Sequence, residues 1–285
     1  MADPELRRIR VYPVKSLDPR EQSSVRIAEQ GALAGDREYA IVDRPSDEPH
    51  DPETASVGGR GDYVNGKRTA AVHRLRSSFD PDGRTLSLRV QGEQERHSFD
   101  LEPPAAREPL NDWLSAYFGE PVSVRREPAG GYPDDRELMG PTVVSTATLE
   151  AVADWFDGVT VEGARRRFRA NLEVGGVPAF WEDRLYADHG ECVRFRIGEA
   201  ELLGVNPCQR CVVPTRDPNT GAETPGFRER FLEMRERTLP AWAASDRLDH
   251  YFRLMVNTDV PASERDSRLR VGDPVTVLGT SPREA

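Results

Sequence analysis

The chain has 285 residues, 49 acidic against 39 basic side chains, a net charge of −10, 37% hydrophobic residues and three cysteines. That length suits one large or two ordinary domains, and two are expected; the acidic balance opposes a nucleic-acid binder, which needs clustered cation. No apolar run approaches the roughly 20 residues of a membrane span, the opening MADPELRRIR lacks the apolar core of a signal peptide, and an odd set of three cysteines makes no disulfide framework, so a cytoplasmic protein with reduced thiols and no membrane span is expected.

In chain order, IRVYPVKSL alternates as a strand before Pro19. SVRIAEQGAL reads as a second strand and GDREYAIVD as a turn followed by a third, with Arg37, Tyr39 and Ile41 on one side. The stretch between about Arg44 and Asn65 has the Pro, Gly and acid content of a surface loop or lid. Short β-runs separated by DPDG and QGEQE predict a meander. Leu110, Trp113, Leu114 and Tyr117 then take helical spacing up to Gly119. REPAGGYPDDRELMGP reads as an interdomain linker, dividing the chain into domains 1–130 and 131–285. Ser145 is placed to cap a helix that begins at Thr146, whose free amides suit an anion. In the second half RRRFRANLEV, CVRFRIGEAELLGV, CVVP and DPVTVLG read as strands and GFRERFLEMRERT as a helix. The expected fold is mainly β and barrel-like, with peripheral helices and two β-rich domains around a cleft.

The strongest local feature is NPCQRCVVPTRDPNTG, with Cys208 and Cys211 at Cys-x-x-Cys spacing. A structural zinc site lacks its second ligand pair, and a thioredoxin-like motif lacks its helix; two small buried thiols remain the plain alternative. Arg210, adjacent to Cys211, favours thiolate over thiol, and thiolate is what a soft metal binds. A second constellation is cationic: Lys15 with Ser16, Arg37, Arg169, Asn171 and Arg210, a set that could clamp a phosphate-bearing polar ring system. Most arginines here are surface residues, but only Lys15 and Lys67 of the 39 bases are lysines, so Lys15 stands out. His73 and His189 have no partner at helical spacing and receive no role.

With these residues in view, the chain resembles the MOSC-domain family, in the branch with an N-terminal β-barrel domain that includes the mitochondrial amidoxime-reducing component. The resemblance is carried by VYPVKSL, GDREYAIVD, RFRANLEV, PCQRCVVPTRDPNTG and LRVGDPVTVL, in that order. It implies a molybdenum cofactor (Mo-molybdopterin) between the two domains, with Cys211 as metal ligand and catalytic residue. Lys15, Ser16, Arg37, Ser145, Thr146, Arg169, Asn171, Gln209 and Arg210 become its contacts, and Ala170 and Gln209 depart from the family pattern. The implied reaction is reduction of a small N-hydroxylated substrate such as an amidoxime. Since this chain ends without a ferredoxin-like domain, electrons are expected from a separate ferredoxin, cytochrome b5-like or flavin reductase protein. Pyridoxal phosphate binding comes with the family as a further association. The alternative reading is a sulfur carrier or cofactor-handling protein, with Cys211 holding a persulfide or serving as ligand.

Overall fold

The computed structural model describes residues 3–44, 63–135 and 137–283; the segment read as a lid lies almost wholly outside them. Fifteen strands and four α-helices are described. The first strands are β1 (Glu5–Val11), β2 (Arg20–Gln22), β3 (Ser24–Arg26) and β4 (Tyr39–Asp43). A three-stranded antiparallel meander follows, β5 (Leu75–Asp80), β6 (Thr85–Val90) and β7 (His97–Asp100). Helix α1 (Glu108–Phe118) stops at Gly119, whose φ of 73° is the left-handed C-cap that favours glycine, and β8 (Val122–Arg126) returns to pair with β4.

The second half contributes β9 (Val143–Ser145), α2 (Thr146–Asp154), α3 (Val161–Phe168) and β10 (Leu172–Gly175), then β11 (Glu191–Ile197), β12 (Ala200–Gln209) and α4 (Phe227–Arg237). It ends with β13 (Arg253–Asp259), β14 (Arg268–Arg270) and β15 (Val275–Pro282). Eight strands form one sheet in the order β15-β11-β12-β13-β9-β10-β1-β2. Its two ends approach each other where Val275 N donates to Pro4 O and Leu6 N to Asp273 O, at 2.9 and 2.8 Å. The result is barrel-like, as the alternating strands predict.

β1 therefore sits in the sheet of the second half, antiparallel to β10. Its inward residues Leu6 and Ile9, with Val25, Ile27 and Leu33, share a core with Phe195, Leu202, Val256 and Leu269. A separate core joins Val14, Leu17, Tyr39, Ile41, Leu88, Leu110, Leu114 and Val124. A line at residue 130 thus follows chain order, whereas packing gives residues 6–11 and 25–33 to the core of the second half. Between Val11 of one core and Val14 of the other the chain crosses the seam, which is why Lys15 and Ser16 come to lie there.

Three local expectations change. RRRF is the end of α3 and not a strand: Thr160 accepts from Gly163 N as N-cap, and Ala164, Arg167 and Phe168 are buried at helical spacing. CVVP is a 3-10 turn at Val213–Thr215, because β12 ends at Gln209. Arg37 lies outside β4 at φ 52°, so it does not alternate with Tyr39 and Ile41.

Candidate functional site

Lys15 is buried at the crossing, and its Nζ donates to Tyr132 O (2.9 Å), Pro133 O (3.2 Å) and Asp134 Oδ1 (2.6 Å). Arg37 N donates to Tyr12 O at 2.6 Å, and its guanidinium reaches Asp36 and, at 3.3 Å, Asp134 Oδ2. Asp36 Oδ1 in turn accepts from Tyr12 N (2.8 Å) and Asn171 Nδ2 (3.1 Å), so a residue of the second half is tied into the first. Arg169 lies over the Tyr12 ring, 4.1 Å from its centroid, and donates to Leu17 O at 2.8 Å; Arg37 lies 5.3 Å from the same ring. Stacking on an aromatic face is where a guanidinium is most at home.

Ser16, Arg37 and Arg169 have φ of 76°, 52° and 59°. Left-handed backbone in residues with a Cβ costs energy and concentrates at functional sites. Three of the predicted contacts thus share an uncommon conformation that sequence periodicity does not encode.

The thiol loop closes the site from the other side. Arg210 N donates to Phe252 O at 2.9 Å as β12 ends, and its Nη2 donates to Phe168 O at 3.0 Å, next to Arg169. Its Nη1 points at Cys208 Sγ, 3.1 Å away, so the guanidinium adjacent to Cys211 in sequence serves the other cysteine in space. Both thiols are free. Among the described residues Cys211 is half-buried and makes no hydrogen bond, flanked by exposed Gln209 and by Val212, which is 43% exposed. Two residues on, Val213 and His73 together occupy the space that a side chain at Gly66 would need, so the loop faces the first half of the chain. Burial, with the charges of Arg169 and Arg216 nearby, holds the His73 imidazole below its ordinary range.

The DPNTG turn fixes this loop. Asp217 Oδ1 accepts from Asn219 N (3.0 Å) and Thr220 N (2.9 Å), an Asx arrangement. Arg76 Nη2 and Arg166 Nη2 both donate to Pro218 O, at 3.0 and 2.8 Å. Gly221, at φ +74°, lies where a Cβ would collide with the Ala70 carbonyl. Gly221→Val is therefore expected to destabilise the fold by about 1–3 kcal/mol and to prise the turn from the first half; chemical denaturation reads the first effect, and faster alkylation of Cys211 the second.

Two predicted contacts are not brought to this seam. β9 and β10 run parallel, with Thr142 and Asn171 at their start and Ser145 opposite Val174 at their end. Ser145 is wholly buried as the N-cap of α2, and Thr146 Oγ1 donates to Glu173 Oε1 at 2.8 Å. Thr146 lines a separate open groove of about 640 Å³ with Arg7, Arg8, Arg165 and Glu173. That groove holds none of the cysteine-loop residues.

What the seam can bind follows from its charge. Burial works against the Asp134 carboxylate, yet Arg37 and Lys15 outweigh it and hold the group well below the usual carboxylate range. Burial also lowers Lys15, partly offset by Asp134. Lys15 and Arg37 are thus already answered by acids. In contrast, Arg169, Arg210 and Arg216 have no carboxylate within ion-pair distance among the described residues, and Arg210 Nε and Arg216 Nε are buried without a hydrogen-bond partner. In a chain with more acids than bases, that local surplus is of the kind that suits an anion. No group of three His, Cys, Asp or Glu side chains is placed to hold an ion among the described residues. A metal at Cys211 would have one protein ligand and would draw its others from a group it arrives with. An anionic, thiolate-ligated cofactor fits these residues.

Asp134, Asp36 and Tyr12 went unread in the sequence. The one signal was the acid pair of YPDD immediately after Gly130–Gly131, which composition had assigned to a linker.

The barrel-like sheet and the second β-rich module thus meet at a seam that carries arginines without ion-paired acids among the described residues, with a partnerless thiol on the adjoining loop. The chain belongs to the MOSC family: residues 141–276 match the MOSC domain, and residues 4–121 match the MOSC N-terminal beta barrel domain. It is similar to mitochondrial amidoxime-reducing component 1 of Mus musculus, 33% identical over 114 residues, covering 39% of this chain and 29% of that protein. It is also similar to mitochondrial amidoxime-reducing component 1 of Danio rerio, 26% identical over 195 residues, covering 62% of this chain and 54% of that protein. The matches therefore span about half or less of those relatives. No helix among the described residues is long and apolar enough to cross a membrane.

Proposed function

We propose that this protein is a molybdenum-cofactor-dependent oxidoreductase that reduces N-hydroxylated compounds such as amidoximes, with Cys211 as the protein's ligand to the metal. The observation that carries the reading is the half-buried, partnerless Cys211 thiol on a loop whose Arg210 and Arg216 have buried, unpartnered Nε groups and no ion-paired acid among the described residues. The names of the mouse and zebrafish relatives supply the substrate class. When bound, the cofactor would supply the two-electron chemistry that no side chain here can perform.

The chain's own residues bind and orient. Arg169, Arg210 and Arg216 answer the negative charge of the ligand by charge-assisted hydrogen bonds. Lys15, Arg37 and Asp134 fix the crossing segment and the linker on which the seam depends. Val212 and Gln209 leave the approach to the sulfur open to a small substrate. A separate donor protein would deliver electrons to this seam.

The test loads purified protein with molybdenum cofactor, removes the excess by gel filtration, and measures retained molybdenum by plasma mass spectrometry and reduction of benzamidoxime by reduced viologen. Near-stoichiometric metal with turnover is expected. Retention of no metal, with a mass increment of one sulfur on Cys211, would instead make the protein a sulfur carrier.

A further inference from the structure

Away from the seam, two adjacent carboxyls lie deep in the second half. Glu182 and Asp183 sit in the 3-10 turn Trp181–Leu185 and are 1% and 3% exposed. The guanidinium that serves them is Arg235 of α4, itself 1% exposed, and its Nη2 donates to both oxygens of Asp183 at 2.7 and 2.6 Å. Arg235 stacks on Phe180, 4.7 Å from the ring centroid. The Nη2 of Arg235 is thereby committed to Asp183, while its Nη1 is buried without a hydrogen-bond partner, and among the described residues Glu182 has no ion pair. Its Oε1 is buried with no hydrogen-bond partner, while its Oε2 accepts from Thr148 Oγ1 (2.9 Å) and from Ser145 N (3.3 Å).

An ionised carboxylate stripped of water, without a counter-ion and beside a second carboxylate, is among the costliest arrangements a core can hold. We infer that Glu182 is carried as the neutral acid and acts as a proton-operated latch on the start of α2, which it releases when the carboxyl ionises. Ser145 and Thr148 form the N-cap bond of that helix, with Thr148 N donating to Ser145 Oγ at 3.1 Å, so one carboxyl oxygen holds both partners of the cap. Phe180 N also donates to Thr148 Oγ1, at 2.5 Å, which ties the cap to the chain leading into the acid turn.

Asp183 on its own segment disfavours a second negative charge, and Tyr186 stays neutral; Arg235 from α4 favours one although its Nη2 is engaged by Asp183, and the hydrogen bonds donated by Thr148 and a backbone amide favour one too, but burial outweighs them. Burial first, then Asp183, pushes the Glu182 carboxyl up to about 7. Because the folded value lies above the unfolded one, the stabilisation is complete below the ordinary carboxylate range and is lost as pH rises through neutrality, with the proton leaving to solvent. The residues released, Thr146, Ala147 and Glu150, form one wall of the 640 Å³ groove, so the groove loosens on the alkaline side.

Infrared spectroscopy and amide exchange on the whole chain test this. A protonated-carboxyl stretch absent from Glu182→Gln, and vanishing between about pH 6 and about pH 8.5, is expected. Relative to Glu182→Gln, the protection of the Ser145–Thr148 amides in the wild type should fall by about ten-fold or more over that range. Should Glu182→Gln not fold, Glu182→Asp keeps a carboxyl but must shift its band. Absence of the band at about pH 6, or wild-type and Gln variants losing protection in parallel, would overturn the latch.

Discussion

Cys211→Ser should lose molybdenum to the background of the assay, whereas Cys208→Ser should keep most of it. The two sulfurs lie three residues apart but have different surroundings. Cys208 belongs to β12, packs against the cluster of Phe168, Phe231 and Phe252, and takes the Arg210 guanidinium at 3.1 Å. Cys211 stands beyond the strand end with no partner. Removing an outer-shell group costs about 10–100-fold in metal affinity, so loss of the one protein ligand should exceed about 100-fold. Serine is nearly isosteric, and a half-exposed site tolerates its hydroxyl, so the melting temperature of the cofactor-free variant should stay within about 2 °C of the wild type. Equal metal in Cys211→Ser and wild type would exclude Cys211 as ligand, and loss only in Cys208→Ser would transfer the role to its neighbour.

Gly204→Val should destabilise the fold severely. Gly204 lies in β12 between two paired strands, opposite Val193 of β11 and Thr258 of β13. A Cβ there would fall inside the carbonyl oxygen of Leu185, a residue buried in the same core. Neither side can yield: one is held by ladder hydrogen bonds and the other by the 3-10 turn that carries Glu182 and Asp183. The cost belongs with the exceptional substitutions above about 4 kcal/mol, which for a chain of this size lowers the melting temperature by about 10 °C or more. Circular dichroism on the soluble fraction measures it, and a variant that melts within about 2 °C of the wild type would place the Leu185 carbonyl elsewhere.

Local patterns told most of the architecture. Helix α1 was readable because Leu110 and Leu114 recur at helical spacing and Gly119 ends the run; Ser145 was readable as a cap because its hydroxyl has a fixed partner three residues on. Lys15, Arg37, Arg169 and Asn171 were readable as a set; Arg37, Arg169 and Asn171 meet around Tyr12 and Asp36, and Lys15 joins Arg37 through Asp134. What failed depends on distance in the chain. Nothing within β1 announces that its partner is β10, more than 150 residues away, and so the crossing at Tyr12–Ser16 stayed invisible. RRRF was misread because three arginines conceal that Arg167 is buried, with its guanidinium donating to the Pro214 carbonyl at 2.9 Å. Asp134 was lost in a stretch that composition marks as linker, although a linker carboxylate can still bind Lys15 at 2.6 Å.

The placement of β1 has a bearing on how the molecule is made. β10 follows β1 by more than 150 residues, and the Asp273–Val275 segment that meets its other edge comes about 100 residues later still. Until β10 is made, Leu6 and Ile9 have only Val25, Ile27 and Leu33 of their core to meet, and the nascent chain carries an unpaired, partly apolar edge of the kind that chaperones hold. A ribosome-bound fragment stopped before β10 would expose this strand to protease, and protection would come late and all at once.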